Sequence, residues 1–178
     1  MTTHAPDYFT IRMLGPADAS VFHALRLDSL RLHPEAFGAD PEDEAALSPA
    51  GIAQLLAPPP PGAVFGAYLD SRLVGIAGLH VESAVKRRHV GLVWGLHVAP
   101  VSRGHGAGRA LLRAVEAHAR EAGLERLCLA VGTGNAAARA LYDAAGYAVY
   151  GIERAALKLG PGAYVDEELR VLDLRPSG

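Results

Sequence analysis

The sequence is short of several things, and each shortage excludes something. It has one cysteine, Cys128, so an intramolecular disulfide and a cysteine-only metal site are both excluded. A reducing cytoplasm is the expected home. It has two lysines, Lys86 and Lys158, and a net charge of −2. No general pull towards nucleic acid or an anionic membrane follows from that balance. No apolar run approaches the length of a membrane span. The N-terminus lacks a basic segment followed by an apolar stretch, so no signal peptide is expected. The eight histidines show no metal-ligand spacing. There is no Gly-Lys-(Ser/Thr) sequence, which argues against a P-loop.

What remains is a 178-residue chain, half of it apolar, and long enough for one domain with a full core. We read 1–178 as a single domain with its core at about 9–174, the first seven residues forming a loose terminus. Phe9 to Leu14 alternates as a strand, Gly15-Pro16 breaks it, and a helix follows to His33-Pro34. Residues 34–49 are acidic and read as irregular, with a short helix over Pro49 to Leu56. Pro58 to Pro61 reads as a surface loop. Val64 to Leu69, Leu73 to Val81 and Val90 to Val98 read as an antiparallel meander. Gly106 to Ala122 has helical periodicity and ends at Gly123. Leu127 to Val131 is a buried strand and Asn135 to Ala145 a helix. Tyr147 to Ile152 is a strand, 153–162 a Gly/Pro loop, and Ala163 to Leu174 the last strand. The order is β-α-α-β-β-β-α-β-α-β-β: an α/β fold with a mixed twisted sheet. Its front half is antiparallel, with a parallel step at the crossover from Val98 to Val131.

That step carries the chemistry. After the strand ending at Val98 come Arg103 and three glycines, Gly104, Gly106 and Gly108, and a helix starts at once. The first N–H groups of a helix lack intrahelical partners, and its dipole puts partial positive charge there. A phosphate or pyrophosphate fits such a turn. Gly132-Thr-Gly-Asn-Ala-Ala137 imitates a dinucleotide fingerprint, but too little chain follows Glu153 for the remaining βαβ units.

Arg103-Gly-His-Gly-Ala-Gly108 matches (Gln/Arg)-x-x-Gly-x-(Gly/Ala), and Asn135-Ala-Ala-Ala-Arg-Ala-Leu-Tyr142 with Gly146-Tyr147 matches Asn-x-x-Ala-x-x-Leu-Tyr-x-x-x-Gly-(Phe/Tyr). Together, and in this element order, they resemble the GCN5-related N-acetyltransferases over nearly the whole chain. The resemblance implies the GNAT fold, acetyl-coenzyme A as co-substrate, no metal, and an amine acceptor. It implies that Arg103, Gly104, His105, Gly106, Ala107, Gly108 and Arg109 hold the pyrophosphate. The pantetheine arm is expected beside Leu96, His97 and Val98, with Asn135 as a side-chain contact. Tyr142 is expected as the general acid that protonates the departing thiolate. Cys128 is then core rather than a nucleophile.

The general base is the open position, because Val93 to Leu96 offers no carboxylate. Glu82, at the end of the preceding strand, ranks first as the catalytic base. His97 and the acidic loop Glu35 to Glu44 are the other candidates. That loop is also expected to attract a cationic amine. The acceptor could be a small molecule, a peptide, or a protein N-terminus or lysine. A coenzyme-A-binding member without transfer activity is the alternative. Sheet edges and the C-terminal strand allow a homodimer.

Overall fold

The computed structural model describes residues 9–175; the expected loose terminus at 1–7 lies outside them. Twelve elements follow in chain order: β1 (Thr10–Met13), α1 (Ala19–Leu32), α2 (Pro41–Ala45), α3 (Pro49–Leu55), β2 (Ala63–Leu69), β3 (Arg72–Val81), β4 (Val90–Val98), α4 (Ala107–Glu121), β5 (Arg126–Gly132), α5 (Ala136–Ala144), β6 (Ala148–Gly160) and β7 (Ala163–Asp173). One sheet holds all seven strands in the order β1-β2-β3-β4-β5-β7-β6. β1 to β4 are antiparallel to one another, and β4 and β5 are parallel. The expected mixed sheet and its parallel step are therefore present.

Alternation along the central strands feeds two cores, one on each face. Phe65, Ala77, Leu79 and Val93 pack with Leu111, Leu112, Val115 and Ala119 of α4. Val64 and Ile76 point the other way, to Leu14, Phe22, Ile52 and Leu56 beneath α1 and α3. Each large side chain buried this way contributes about 1.5–3 kcal/mol. α4 forms because its apolar residues recur at helical spacing, and it stops at Gly123, whose φ of +74° suits glycine.

Two sequence expectations need correction. Residues 34–49 are not all irregular, since α2 lies within them. Asp40 caps it, accepting from the N–H groups of Glu42 (2.8 Å) and Asp43 (3.3 Å), and Pro41 takes the first helical position. The cap and the proline were in the sequence; five residues were too few to show periodicity. Likewise 153–162 is not a loop. β6 runs on to Gly160, and β-bulges absorb the irregular residues. Asp166 pins one of them, accepting from Ala155 N–H (2.8 Å) and Arg154 (2.6 Å).

Candidate active site

β4 and β5 begin as neighbours and then part. Their register covers Val90 to Leu92 against Arg126 to Cys128 and goes no further. Beyond it, β4 continues to Val98 and β5 to Gly132 with no strand between them. A β-bulge at Gly95 marks the parting. Between Ile76–His97 and Gly78–Trp94, β4 spends one more residue than β3. Gly95 has φ +66°, a conformation glycine adopts without strain. The β5-facing edge of β4 is thus left with backbone groups unspent.

A cleft of about 760 Å³ occupies this parting. Leu96, His97, Val98, Arg103, Gly104, Gly106, Ala107, Gly108, Arg109, Asn135 and Tyr142 all line it, so two distant motifs meet in one place. His105 is exposed and not part of the lining. The turn owes its shape to Gly104 and Gly106, with φ of +80° and +90°. Gly106 is the N-cap of α4 and has no side chain to close it. The first intrahelical bond is Ala110 N–H to Gly106 O, which leaves the N–H groups of Ala107, Gly108 and Arg109 for an anion.

Across the cleft, Asn135 caps α5. Its Oδ1 accepts from Ala138 N–H at 3.1 Å, so its amide N–H groups remain to be used. Tyr142 is 7% exposed, with its ring 5.8 Å from that of Tyr147. Burial pushes its hydroxyl up to about 12, against a lowering by Arg170, so it stays protonated at neutral pH.

α5 is held by charges that the sequence reading missed. Arg170, 1% exposed, donates to Glu168 (2.6 and 2.9 Å) and to Asp143 on α5 (2.6 Å). Arg139 of α5 pairs with the same Glu168 at 2.8 Å. The alternation of β7 puts Glu168 and Arg170 on one face, and a strand with a charge on its inward face was the available signal.

His97 is 5% exposed and its Nε2 is buried without a partner. Burial, with Arg103, His33 and Arg26 adding to it, pushes the imidazole down to about 4, so it is neutral at pH 7. His33, Glu35 and Phe37 close this side of the cleft.

Glu82 does not join them. It sits six residues beyond Ile76, the cross-strand partner of His97, which is about 20 Å along β3. There it lies 3.6 Å from Arg87 on the rim of a separate hollow. β3 and β4 are antiparallel, so the carboxyl end of β3 is necessarily at the wrong end of β4. The acidic loop is also mostly occupied elsewhere. Asp40 caps α2, and Glu44 is buried 3.8 Å from Arg26. Of that loop's carboxylate residues, only Glu35 lines the cleft.

Residues 22–147 match the acetyltransferase (GNAT) family. The chain belongs to that family. It is 35% identical over 143 residues to an aminoglycoside N(6')-acetyltransferase type 1 of Stenotrophomonas maltophilia, covering 78% of this chain and 85% of the relative. Its fold matches a GNAT-family acetyltransferase from Streptococcus pneumoniae with a TM-score of 0.84 at 23% identity, over 94% of this chain and 99% of that one. It also matches a Salmonella typhimurium protein solved with its cofactor acetyl-CoA, with a TM-score of 0.78 at 21% identity over 96% of each chain. As a member of this family the chain is an acyl-CoA-dependent N-acetyltransferase. Among the described residues, no group of three or more His, Cys, Asp or Glu side chains is placed to hold a metal, and no helix is long and apolar enough to cross a membrane.

Proposed function

We propose that this GNAT enzyme moves acetyl from acetyl-CoA to a primary amine of a small molecule that carries more than one amino group. The observation that carries the reading is the parting of β4 and β5 beside the unspent N–H groups of α4. An amide-bearing arm can pair with the β4 edge from Leu96 to Val98 while a pyrophosphate meets Gly104 to Arg109.

Each residue then has a task. Arg103 and Arg109 add positive charge near the diphosphate. Asn135 offers its amide N–H groups to the carbonyls of the arm. A backbone N–H between Leu96 and Val98 stabilises negative charge as it develops on the thioester oxygen. Tyr142 donates to the departing sulfur; a phenol held neutral is a ready hydrogen-bond donor there. The amine attacks directly, and Cys128, in β5 outside the cleft lining, has no covalent role.

Two observations favour an acceptor with several amines. Glu153 and Glu167 face each other across β6 and β7, and their repulsion joins burial in raising the Glu167 carboxyl. Like charges directly opposite are destabilising in a sheet, and a second ammonium group would relieve them. Val165, two residues from Glu167 on the same face, lines the cleft. The relative at 35% identity is an aminoglycoside acetyltransferase.

Thiol release from acetyl-CoA across aminoglycosides, polyamines, amino acids and peptides tests the proposal. Turnover concentrated among the polyamino compounds is the expected result. Turnover with peptides alone would overturn the acceptor class, and cofactor binding with no turnover on any amine would leave a non-catalytic binder. Tyr142→Phe should lower kcat about 10²-fold or more with cofactor Kd within threefold; an unchanged kcat would remove its role as the acid.

A further inference from the structure

Where the end of α1 crosses the carboxyl end of β4, one side chain makes two contacts. Arg103 donates from Nη2 to His33 Nε2 at 2.8 Å and from Nε to Val98 O at 2.9 Å. A guanidinium has donors only. His33 Nε2 therefore accepts and carries no proton, and the ring hydrogen sits on Nδ1, which faces Glu35 Oε1 at 3.4 Å. A carboxylate behind an imidazole, with the other nitrogen presenting its lone pair to a cleft, is the arrangement that orients a proton acceptor. The His33 ring lies 6.2 Å from that of His97, beside the β4 segment assigned to the thioester arm.

The second contact ties this pair to the cofactor. Val98 O belongs to the edge of β4 that an amide-bearing arm would use, and Arg103 holds it in the free protein. A diphosphate at the glycine turn attracts the same guanidinium more strongly than a neutral imidazole or a carbonyl does.

We infer that His33 takes the proton from the acceptor's amine, that Glu35 positions it, and that Arg103 covers its Nε2 until the cofactor occupies the β4 edge. This rests on the cleft being the acetyl-CoA site. In the reaction, the neutral amine forms a C–N bond to the thioester carbon and the C–S bond breaks. The surplus proton on nitrogen passes to His33 Nε2, and Tyr142 gives its hydroxyl proton to sulfur. His33, about a third exposed, releases its proton to solvent, and Tyr142 regains one. The charged and titratable groups facing His33 are Glu35 from the 3-10 turn after α1, Arg103 from the glycine turn and His97 from β4. Arg26 of α1 faces the Phe37 and Trp94 rings instead. The base is thus exposed only after the cofactor binds.

The test combines imidazole nitrogen spectra of the labelled protein, titrated with coenzyme A alone, and kinetics with the best acceptor of the screen. Coenzyme A should shift the backbone amides of 104–109 and, with them, the Nε2 resonance of His33. His33→Ala should lose about 10²–10³-fold in kcat and the acidic limb of the pH–rate profile, regain part of the rate with added imidazole, and keep its coenzyme A Kd within threefold. The conservative His33→Gln should lose the same limb without recovery, and Glu35→Gln should lower kcat about tenfold with acetyl-CoA KM unchanged. Amides that shift while His33 Nε2 stays still would overturn the covering role. A His33→Ala enzyme within threefold of the parent would overturn the catalytic one, as would a limb near pH 4 that disappears only when His97 is replaced. If coenzyme A moves neither set of signals, the assignment of the cleft fails and this inference fails with it.

Discussion

Two hollows of nearly equal size lie at opposite ends of β4. The cleft at its carboxyl end holds about 760 Å³ and the hollow near its start about 790 Å³. Their linings differ in what is left unspent. At the far end the sheet is closed, with Val81 against Gly91 and Val90 against Arg126. Polar groups there are paired or exposed: Glu82 lies 3.6 Å from Arg87, both side chains exposed, and the Pro61 carbonyl oxygen lies 2.9 Å from His118 Nε2. In the cleft the sheet is open, a helix start has free N–H groups, and His97 Nε2 is buried with no partner. An unpaired buried polar group costs about 1–3 kcal/mol. In the cleft one such group stands beside an open strand edge and a helix start whose N–H groups are unspent, and a ligand there would meet all three. Volume alone does not separate the two hollows; unused hydrogen-bonding capacity does.

The contrast can be broken or sharpened by substitution, and the largest effect is expected where α5 is anchored. Arg170→Ala leaves Glu168 buried with less compensation and frees Asp143, and should cost about 3–5 kcal/mol in urea unfolding. Because α5 carries Asn135 and Tyr142, kcat should fall as well. A loss under 1 kcal/mol would mean that the cleft wall does not depend on this network.

His97 supplies the pH test. Its folded-state pKa is depressed to about 4, below the ordinary histidine value of 6.5, so the unfolded chain binds the proton more readily between those values. Stability is therefore full above about 6.5 and is lost as pH falls towards 4, by roughly 2–3 kcal/mol. His97→Phe should remove that part of the acid loss relative to the parent. Parallel curves for the two proteins would show that the buried imidazole is not the cause.

Gly106→Val forces a branched side chain into φ +90° at the head of α4. About 1–2 kcal/mol of strain is expected, read as an about five- to thirtyfold weaker acetyl-CoA Kd by calorimetry. An unchanged Kd would argue that the turn does not hold the diphosphate. The smallest effect belongs to the other hollow. Glu82→Gln should leave kcat within twofold and stability within about 0.5 kcal/mol, since exposed pairs contribute little. A tenfold loss of kcat would return Glu82 to the reaction.

Much of the cleft was legible in the chain because its parts are backbone-driven and local. Arg103 to Gly108 leads into the start of α4, and Asn135 to Tyr142 covers the first two turns of α5, so their spacing survives folding. The two strands that part were legible as well. The wall made by His33, Phe37 and Val165 was not, since it forms only when the end of α1 and the β6–β7 hairpin are brought over β5. Arg170 was not legible for the same reason: besides Glu168 on its own strand, its partners are on α5, 27 and 31 residues away. Glu82 is a different lesson. The antiparallel meander was already in hand, and an antiparallel neighbour ends where β4 begins. Topology would have excluded that residue before any coordinates.

One measurement bears most directly on the claim that the open end of β4 is the acetyl-CoA site. Amide chemical shifts of the labelled protein, followed during titration with acetyl-CoA, should move at 93–98, 103–109 and 135–142. They should stay still at 80–89 and 122–124 around the closed hollow. Shifts confined to the second set, or saturable binding that leaves 93–98 and 103–109 unmoved, would contradict it.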